Sequence, residues 1–271
     1  MYIFGGNDIR IGAMNNLWQF DLGNLGDLSM LSRNNRANAE NPIDWKECKM
    51  HGSIPGTISH HQTVVAGKNM YLIGGCMGGR DYNQSQMYRL DLQTLNWDQV
   101  GTRSDSDCVP QQIDEHTVAQ DGNLCLIFGG FENGCRSNKI YSFDLETLKW
   151  NLIKPTDAKA KSPMARAGHS MNMINNCLYI FGGKNDDNQK MKDLWKFDLE
   201  SLTWTELMPT NSHDDSPNER AGHSSVVFDG YLCVFGGIFE VTKELNDCHM
   251  YDIANNRWVT LFSWQQEPNT A

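Results

Sequence analysis

Arg166-Ala-Gly-His169 opens a stretch that runs on through Leu178-Tyr-Ile-Phe181, Gly182-Gly183, a polar loop, Leu194-Trp-Lys-Phe197, Asp198-Leu-Glu-Ser201 and Trp204, and the same order returns between Arg220 and Trp258. Aligned on the first glycine of each Gly-Gly pair, Gly5, Gly74, Gly129, Gly182 and Gly236 stand 69, 55, 53 and 54 residues apart. A period near fifty marks a repeat architecture. In four copies a histidine (His61, His116, His169, His223) lies 13 residues before the glycine, and a proline (Pro55, Pro110, Pro163, Pro217) lies six residues before the histidine. An aspartate follows the glycine at Asp21, Asp91, Asp144, Asp198 and Asp252, and in the last four copies a tryptophan (Trp97, Trp150, Trp204, Trp258) comes six residues later.

Each copy reads as β structure. Met70-Tyr-Leu-Ile73 and Leu124-Cys-Leu-Ile-Phe128 are short apolar runs ended by Gly-Gly, the pattern of a strand buried on both faces. Asp91-Leu-Gln-Thr94 and its relatives predict a turn, because Asp bonds to backbone groups two or three residues on. The third and fourth strands then form a hairpin, with the tryptophan at the start of the fourth strand. Val100, Ile153, Leu207 and Leu261, three residues beyond the tryptophans, are expected to extend the packing between units. Met191, Leu194, Trp195, Leu199 and Leu202 alone would pass for a helical stripe; recurrence of the turn chemistry overrides it.

This register resembles the kelch repeat, in which every copy is one four-stranded blade of a β-propeller. The resemblance covers nearly the whole chain and implies an all-β fold with blades at approximately 1–48, 55–100, 110–153, 163–207 and 217–261, in one domain of residues 1–271. The first blade lacks its inner strand, so the resemblance also implies an incomplete ring, part of a larger ring or protein. The Leu-Trp-x-Phe-Asp-Leu form of the third strand is more similar to stand-alone or multi-domain kelch proteins of the cell-end marker and Rab-effector type than to the BTB-kelch class. The excess between Asp21 and Trp45, roughly Gly23 to Pro42, reads as a surface insertion.

A net charge of −10 argues against a nucleic-acid or anionic-membrane partner, which needs a basic face. No run approaches a membrane span, and Met1-Tyr-Ile-Phe-Gly-Gly already reads as a strand, which leaves no room for a signal peptide. The eight cysteines contain no C-x-x-C pair and read as reduced thiols. A cytoplasmic protein is the expectation.

Residues capable of chemistry recur with the repeat, whereas an active site needs a singular, convergent set. The recurrent aspartates read as turn caps and the recurrent histidines as structural, so no metal and no cofactor is expected. Glu240, Glu244, Asp247 and His249 are loosely similar to the iron ligands of nitrile-specifier kelch proteins, with a spacing that departs from that pattern. In kelch adaptors of ubiquitin ligases, the arginine of the Arg-x-Gly motif and the residue after Gly-Gly line the opening that holds a partner peptide. By position that implies a rim of Arg166, Arg220, Lys184, Phe131, Ile58 and Ile113. Such a rim would face water, one arc apolar and one basic, and suit a protein segment that joins a carboxylate or phosphate to an apolar anchor. Alternatively the two arginines pair with a carboxylate such as Glu219 and brace the loop. A non-enzymatic protein-interaction scaffold is the leading reading. The rivals are a kelch-fold enzyme, sugar-oxidase-like or iron-dependent, and a targeting module of a larger catalytic protein.

Overall fold

A computed structural model describes residues 1–25, 45–77, 87–101, 108–210, 215–241 and 243–263. Within them each repeat forms one principal sheet of mainly antiparallel strands, accompanied by three small two- or three-stranded sheets. The third blade is ordered as Thr117–Asp121, Leu124–Phe128, Ile140–Asp144 and Lys149–Ile153 from the axis outwards, and the fourth as Ser170–Ile174, Cys177–Phe181, Leu194–Asp198 and Thr203–Leu207. The fifth follows with Ser224–Phe228, Tyr231–Ile238, Glu244–Asp252 and Arg257–Phe262. The second blade has Gln62–Ala66, Asn69–Ile73, Met87–Asp91 and Asn96–Val100, and gains a fifth strand at its outer edge, where His51–Gly52 pairs in parallel with Asn96 and Trp97. Among the described residues the first blade has three strands, Tyr2–Phe4, Leu17–Gln19 and Lys46–Cys48, without an inner one. Leu194–Asp198 and Thr203–Leu207 are strands, so the apparent helical stripe is the core of a hairpin. The Gly23 to Pro42 insertion falls largely outside the described residues.

The turn chemistry is as the spacing requires. Asp91 Oδ1 accepts from the backbone N–H of Gln93 at 2.9 Å and Thr94 at 3.1 Å, and Asp144 and Asp198 repeat the pair of bonds. These caps let the chain place Leu95, Leu148 and Leu202 at φ of 57°, 58° and 53°, a left-handed conformation that a branched side chain otherwise avoids.

Four hydrophobic clusters lie between successive blades, each drawing on both. The residue before Gly-Gly packs forward onto the next blade: Phe4 lies 4.8 Å from Trp97, Phe128 5.5 Å from Trp204 and Phe181 5.2 Å from Trp258. The residue before that packs backwards, so Leu72, Ile127, Ile180 and Val234 are all inaccessible to water. Val100, Ile153 and Leu207 extend the packing as expected; Leu261 instead stands 53% exposed on the outer face of the fifth blade.

The joint between blades is a backbone lock. The second glycine of each pair donates its N–H to a carbonyl three residues before the next histidine: Gly6 to Ile58 at 2.8 Å, Gly75 to Ile113 at 2.7 Å, Gly130 to Arg166 at 2.8 Å and Gly183 to Arg220 at 2.8 Å. The first glycine takes positive φ, and a Cβ there would come within 2.6–3.1 Å of Cε1 of the next blade's histidine. Only glycine meets both demands. Two of the four rings are tied to the preceding inner strand, His169 Nε2 to Thr117 Oγ1 and His223 Nε2 to Ser170 Oγ, both at 2.8 Å.

Burial lowers the pKa of these histidines, to about 3 for His116 and His223 and well below the ordinary 6.5 for His169; His61 is lowered as well. They are neutral in the folded chain at neutral pH and take up protons on unfolding. Because the folded values are depressed, the stability they confer is complete above about 6.5 and is lost as pH falls from there towards 3, at up to about 1.4 kcal/mol per pH unit per histidine. Urea denaturation at a series of pH values from 8 to 4 should show this slope, reduced by about one proton in His223→Gln. Stability independent of pH between 6.5 and 4 would contradict the neutral lock.

Candidate functional site

The inner strands of the second to fifth blades surround an open cavity of about 430 Å³ at one end of the axis. Its wall is formed by the residues that lead into each inner strand and those that follow Gly-Gly: His60 and Gln62, Glu115 to Thr117, Ala167 to His169 with Lys184, and Ala221 and Gly222 with Ile238. Every blade with an inner strand contributes; the fourth and fifth share an Ala-Gly pair and differ in the residue after Gly-Gly, Lys184 against Ile238.

Arg166 and Arg220 do not face this opening. Their placement at the water-facing end is corrected by the structure: both side chains are 0% exposed. Arg166 donates from Nη1 and Nη2 to the two oxygens of Asp193 at 2.9 and 2.8 Å, from Nη1 to the Gly182 carbonyl at 2.9 Å and from Nε to the Met164 carbonyl at 3.1 Å. Arg220 repeats the arrangement with Asp247, Gly236 and Asn218. The bracing partner is thus an aspartate of the third-strand segment, just before the strand at Asp193 and within it at Asp247, not Glu219. Burial opposes ionisation of Asp193 and Asp247, yet hydrogen bonds from Arg166 and Arg220 hold both carboxyls below the usual range. Trp195 Nε1 completes the Asp193 shell at 2.6 Å, and His249 Nε2 that of Asp247 at 3.0 Å.

Ile58 and Ile113 are likewise corrected, being 0% and 2% exposed and packed into the clusters between blades. All four residues occupy the position whose carbonyl closes the lock, which carries their side chains inward. Lys184 is partly exposed on the cavity wall. Phe131 is partly exposed outside it, with the Arg136 guanidinium 5.0 Å over its ring. Ile238, 37% exposed, is the apolar residue that the opening does present.

The arginines nevertheless shape the site. Each fixes the loop that follows it, so that Ala167 and Lys184 exchange backbone bonds of 3.1 and 2.9 Å, Ala221 and Ile238 do so at 3.2 and 2.9 Å, and Gly222 N–H meets the Gly168 carbonyl at 2.8 Å. Lys184 and Ile238 are held at the opening by this brace. A sequence signal for it existed: both blades that have the arginine carry an aspartate 27 residues after it, while the third blade has Ile113 with Lys139. Lys139 there pairs with Glu132 at 2.9 Å instead.

Of the loose acidic cluster, Asp247 and His249 are buried, Asp247 committed to Arg220 and His249 to Asp247, whereas Glu240 and Glu244 are exposed. Among the described residues no group of three or more His, Cys, Asp and Glu is arranged to hold a metal ion. No helix among them is long and apolar enough to cross a membrane.

Removing one partner of a buried, bidentate pair leaves the other charge uncompensated. Arg166→Ala is therefore expected to destabilise the fold by about 3–5 kcal/mol, with Arg166→Lys recovering only part, since an ammonium cannot reproduce the fork. Denaturant midpoints decide this; a loss below about 1 kcal/mol would mean the brace is dispensable.

Comparison with known proteins agrees with this architecture. A family model described as the KLHDC2/KLHL20/DRC7 Kelch-repeats domain matches residues 1–162 and 115–270. Kelch domain-containing protein 3 of Bos taurus is 28% identical over 254 residues, covering 90% of this chain and 59% of that protein. Kelch domain-containing protein 10 of Homo sapiens is 29% identical over 214 residues, 77% of this chain and 46% of that protein, and acyl-CoA-binding domain-containing protein 4 of Arabidopsis thaliana is 28% identical over 223 residues, 79% and 32%. The chain thus spans less than two thirds of the length of these relatives. With a family match along its whole length and a Gly-Gly/His lock at each joint, the chain belongs to the kelch-repeat family.

Proposed function

We propose that this chain is a non-enzymatic protein-interaction module that takes a segment of a partner protein into the opening bounded by Lys184, Ile238, Glu115 and His60. Kelch repeats are protein-interaction modules in general, and what favours this opening is its asymmetry. The recurrent polar residues are spent on the fold, the aspartates in turns and the histidines, uncharged, in locks. At the opening the blades differ at His60, Glu115, Lys184 and Ile238, and specificity follows from such singular positions.

The chemistry of the partner follows from the wall. Lys184 offers the exposed cation that the buried arginines cannot, and suits a carboxylate or phosphate; Ile238 offers an apolar contact. Gly168 and Gly222, without side chains, let a partner backbone lie close. The segment we expect joins an acidic or phosphorylated residue to an apolar anchor. The eight cysteines, all free, suit the reducing interior of a cell.

Affinity capture from the source cells, followed by binding measurements with the recovered partner, tests this reading. Lys184→Glu and Ile238→Asp should each weaken binding by about ten-fold or more, the scale of a contact at an interface centre, and leave the unfolding midpoint within about 0.5 kcal/mol of the parent. The same affinity in both variants would remove the opening as the binding site.

A further inference from the structure

The linker that carries the chain from the third blade to the fourth, residues 154–162, lies outside any strand and is basic on a chain of net charge −10: Lys154, Lys159 and Lys161 stand against Asp157 alone. It is fixed at both ends. Thr156 N–H meets the Leu202 carbonyl at 3.0 Å, and Asn138 Nδ2 donates to the Pro163 carbonyl at 3.1 Å. Between these points the linker and the third blade enclose a cavity of about 250 Å³, whose wall includes Asn138, Lys139, Lys154, Ser162 and Trp204.

Ser162 is exposed and stands directly before the buried Pro163. A residue before proline is held extended, the form in which a kinase cleft takes its substrate. Two ammonium groups line the same cavity as its hydroxyl. Lys154 is exposed and has no ion-pair partner among the described residues, and Lys139 shares its charge with Glu132 at 2.9 Å. Asp157, the acid on that wall, already accepts from the Lys159 N–H at 2.8 Å. The fifth blade has the same dipeptide, Ser216-Pro217, but there Asp214 and Asp215 precede it, Glu219 follows, and no lysine lies between Glu206 and Pro217. A phosphate would thus meet cations at Ser162 and carboxylates at Ser216.

We propose that Ser162 is a phosphorylation site whose phosphate is held in the cavity by Lys154 and Lys139. The donor is adenosine triphosphate and the catalyst a protein kinase that accepts proline after its target. Ser162 Oγ forms a bond to the γ-phosphorus, the bond from that phosphorus to the oxygen bridging it to the β-phosphate breaks, adenosine diphosphate leaves, and the hydroxyl proton passes to the kinase's carboxylate base. The new group carries close to two negative charges and three acceptor oxygens, which suits a pair of lysines. It ties the linker to the third blade beside the Asn138–Pro163 bond and the 3.1 Å bond from Arg166 N–H to the Ser137 carbonyl, and so fastens the segment that leads into the arginine brace.

The test treats the purified full chain with a cyclin-dependent or mitogen-activated protein kinase and magnesium adenosine triphosphate. Mass spectrometry should find one phosphate, at Ser162 and not at Ser216, and none in Ser162→Ala. The phosphorylated chain should unfold about 2–4 °C higher than the unmodified one at low salt, the shift of a modest gain for a domain of this size, and lose most of that gain at high salt. In phosphorus-31 spectra the phosphate should titrate below its ordinary value of about 6 and return towards it in the Lys139→Met/Lys154→Met double variant. No phosphate at Ser162, equal modification of Ser216, or a Ser162 phosphate that titrates near 6 and leaves the midpoint unchanged would overturn the proposal. The comparison of salt concentrations decides without any substitution in the lysines.

Discussion

Every joint of this propeller depends on one backbone hydrogen bond, from the second glycine of a Gly-Gly pair to the carbonyl three residues before the next histidine. At 2.7–2.8 Å it brings two backbones together at a joint where the first glycine could not carry a side chain without collision, nor could the second at Gly75, Gly130 and Gly183. The gap beside the first glycine is filled by an imidazole, which must then be neutral, since a charge buried there would be uncompensated. Phe4, Phe128 and Phe181 lie edge-on to that ring and against the following tryptophan. One bond therefore fixes four residue types, and a chain that repeats it must repeat them at constant spacing.

That dependence explains how much of the fold was legible from the residues. Gly-Gly, the histidine, the turn aspartate and the tryptophan each answer a local demand that recurs, and the recurrence separates Leu194-Trp-Lys-Phe197 from the helix its apolar spacing also permits. Features made once leave no such trace. The parallel pairing of His51–Gly52 with the second blade and the bulge between Phe235 and Gly237 have no periodic signature. Leu261 followed the pattern of Val100 and Leu207, yet its exposure depends on what stands beside the blade, which periodicity within the blade does not encode.

The site was less legible for a related reason. Carrying a position over from a resembling family places the backbone, and here it placed Ile58, Ile113, Arg166 and Arg220 correctly as equivalents. Side-chain direction is a separate matter. At these positions the carbonyl is committed to the lock, and the side chain turns inward, onto apolar neighbours where it is isoleucine and onto an aspartate where it is arginine. Asp193 and Asp247 held the needed information, but two instances of a pairing 27 residues apart stand out only once the burial of their partners is known.

Burial of the arginines moves their role from contact to positioning. A fully buried guanidinium that makes four hydrogen bonds, two to a carboxylate and two to carbonyls, presents no donor to a ligand, but the bonds it makes join the entry loop, the end of the second strand and the third-strand segment that carries the aspartate. Those three segments carry Gly168, Lys184 and their counterparts Gly222 and Ile238 to the opening. The second and third blades reach the same opening without the brace, through His60, Gln62 and Glu115 on loops closed by isoleucine. One half of the rim is thus held by ion pairs and the other by apolar packing, so increasing salt acts little on either: the pairs are shielded from the solvent that would screen them, and the packing has no charge to screen.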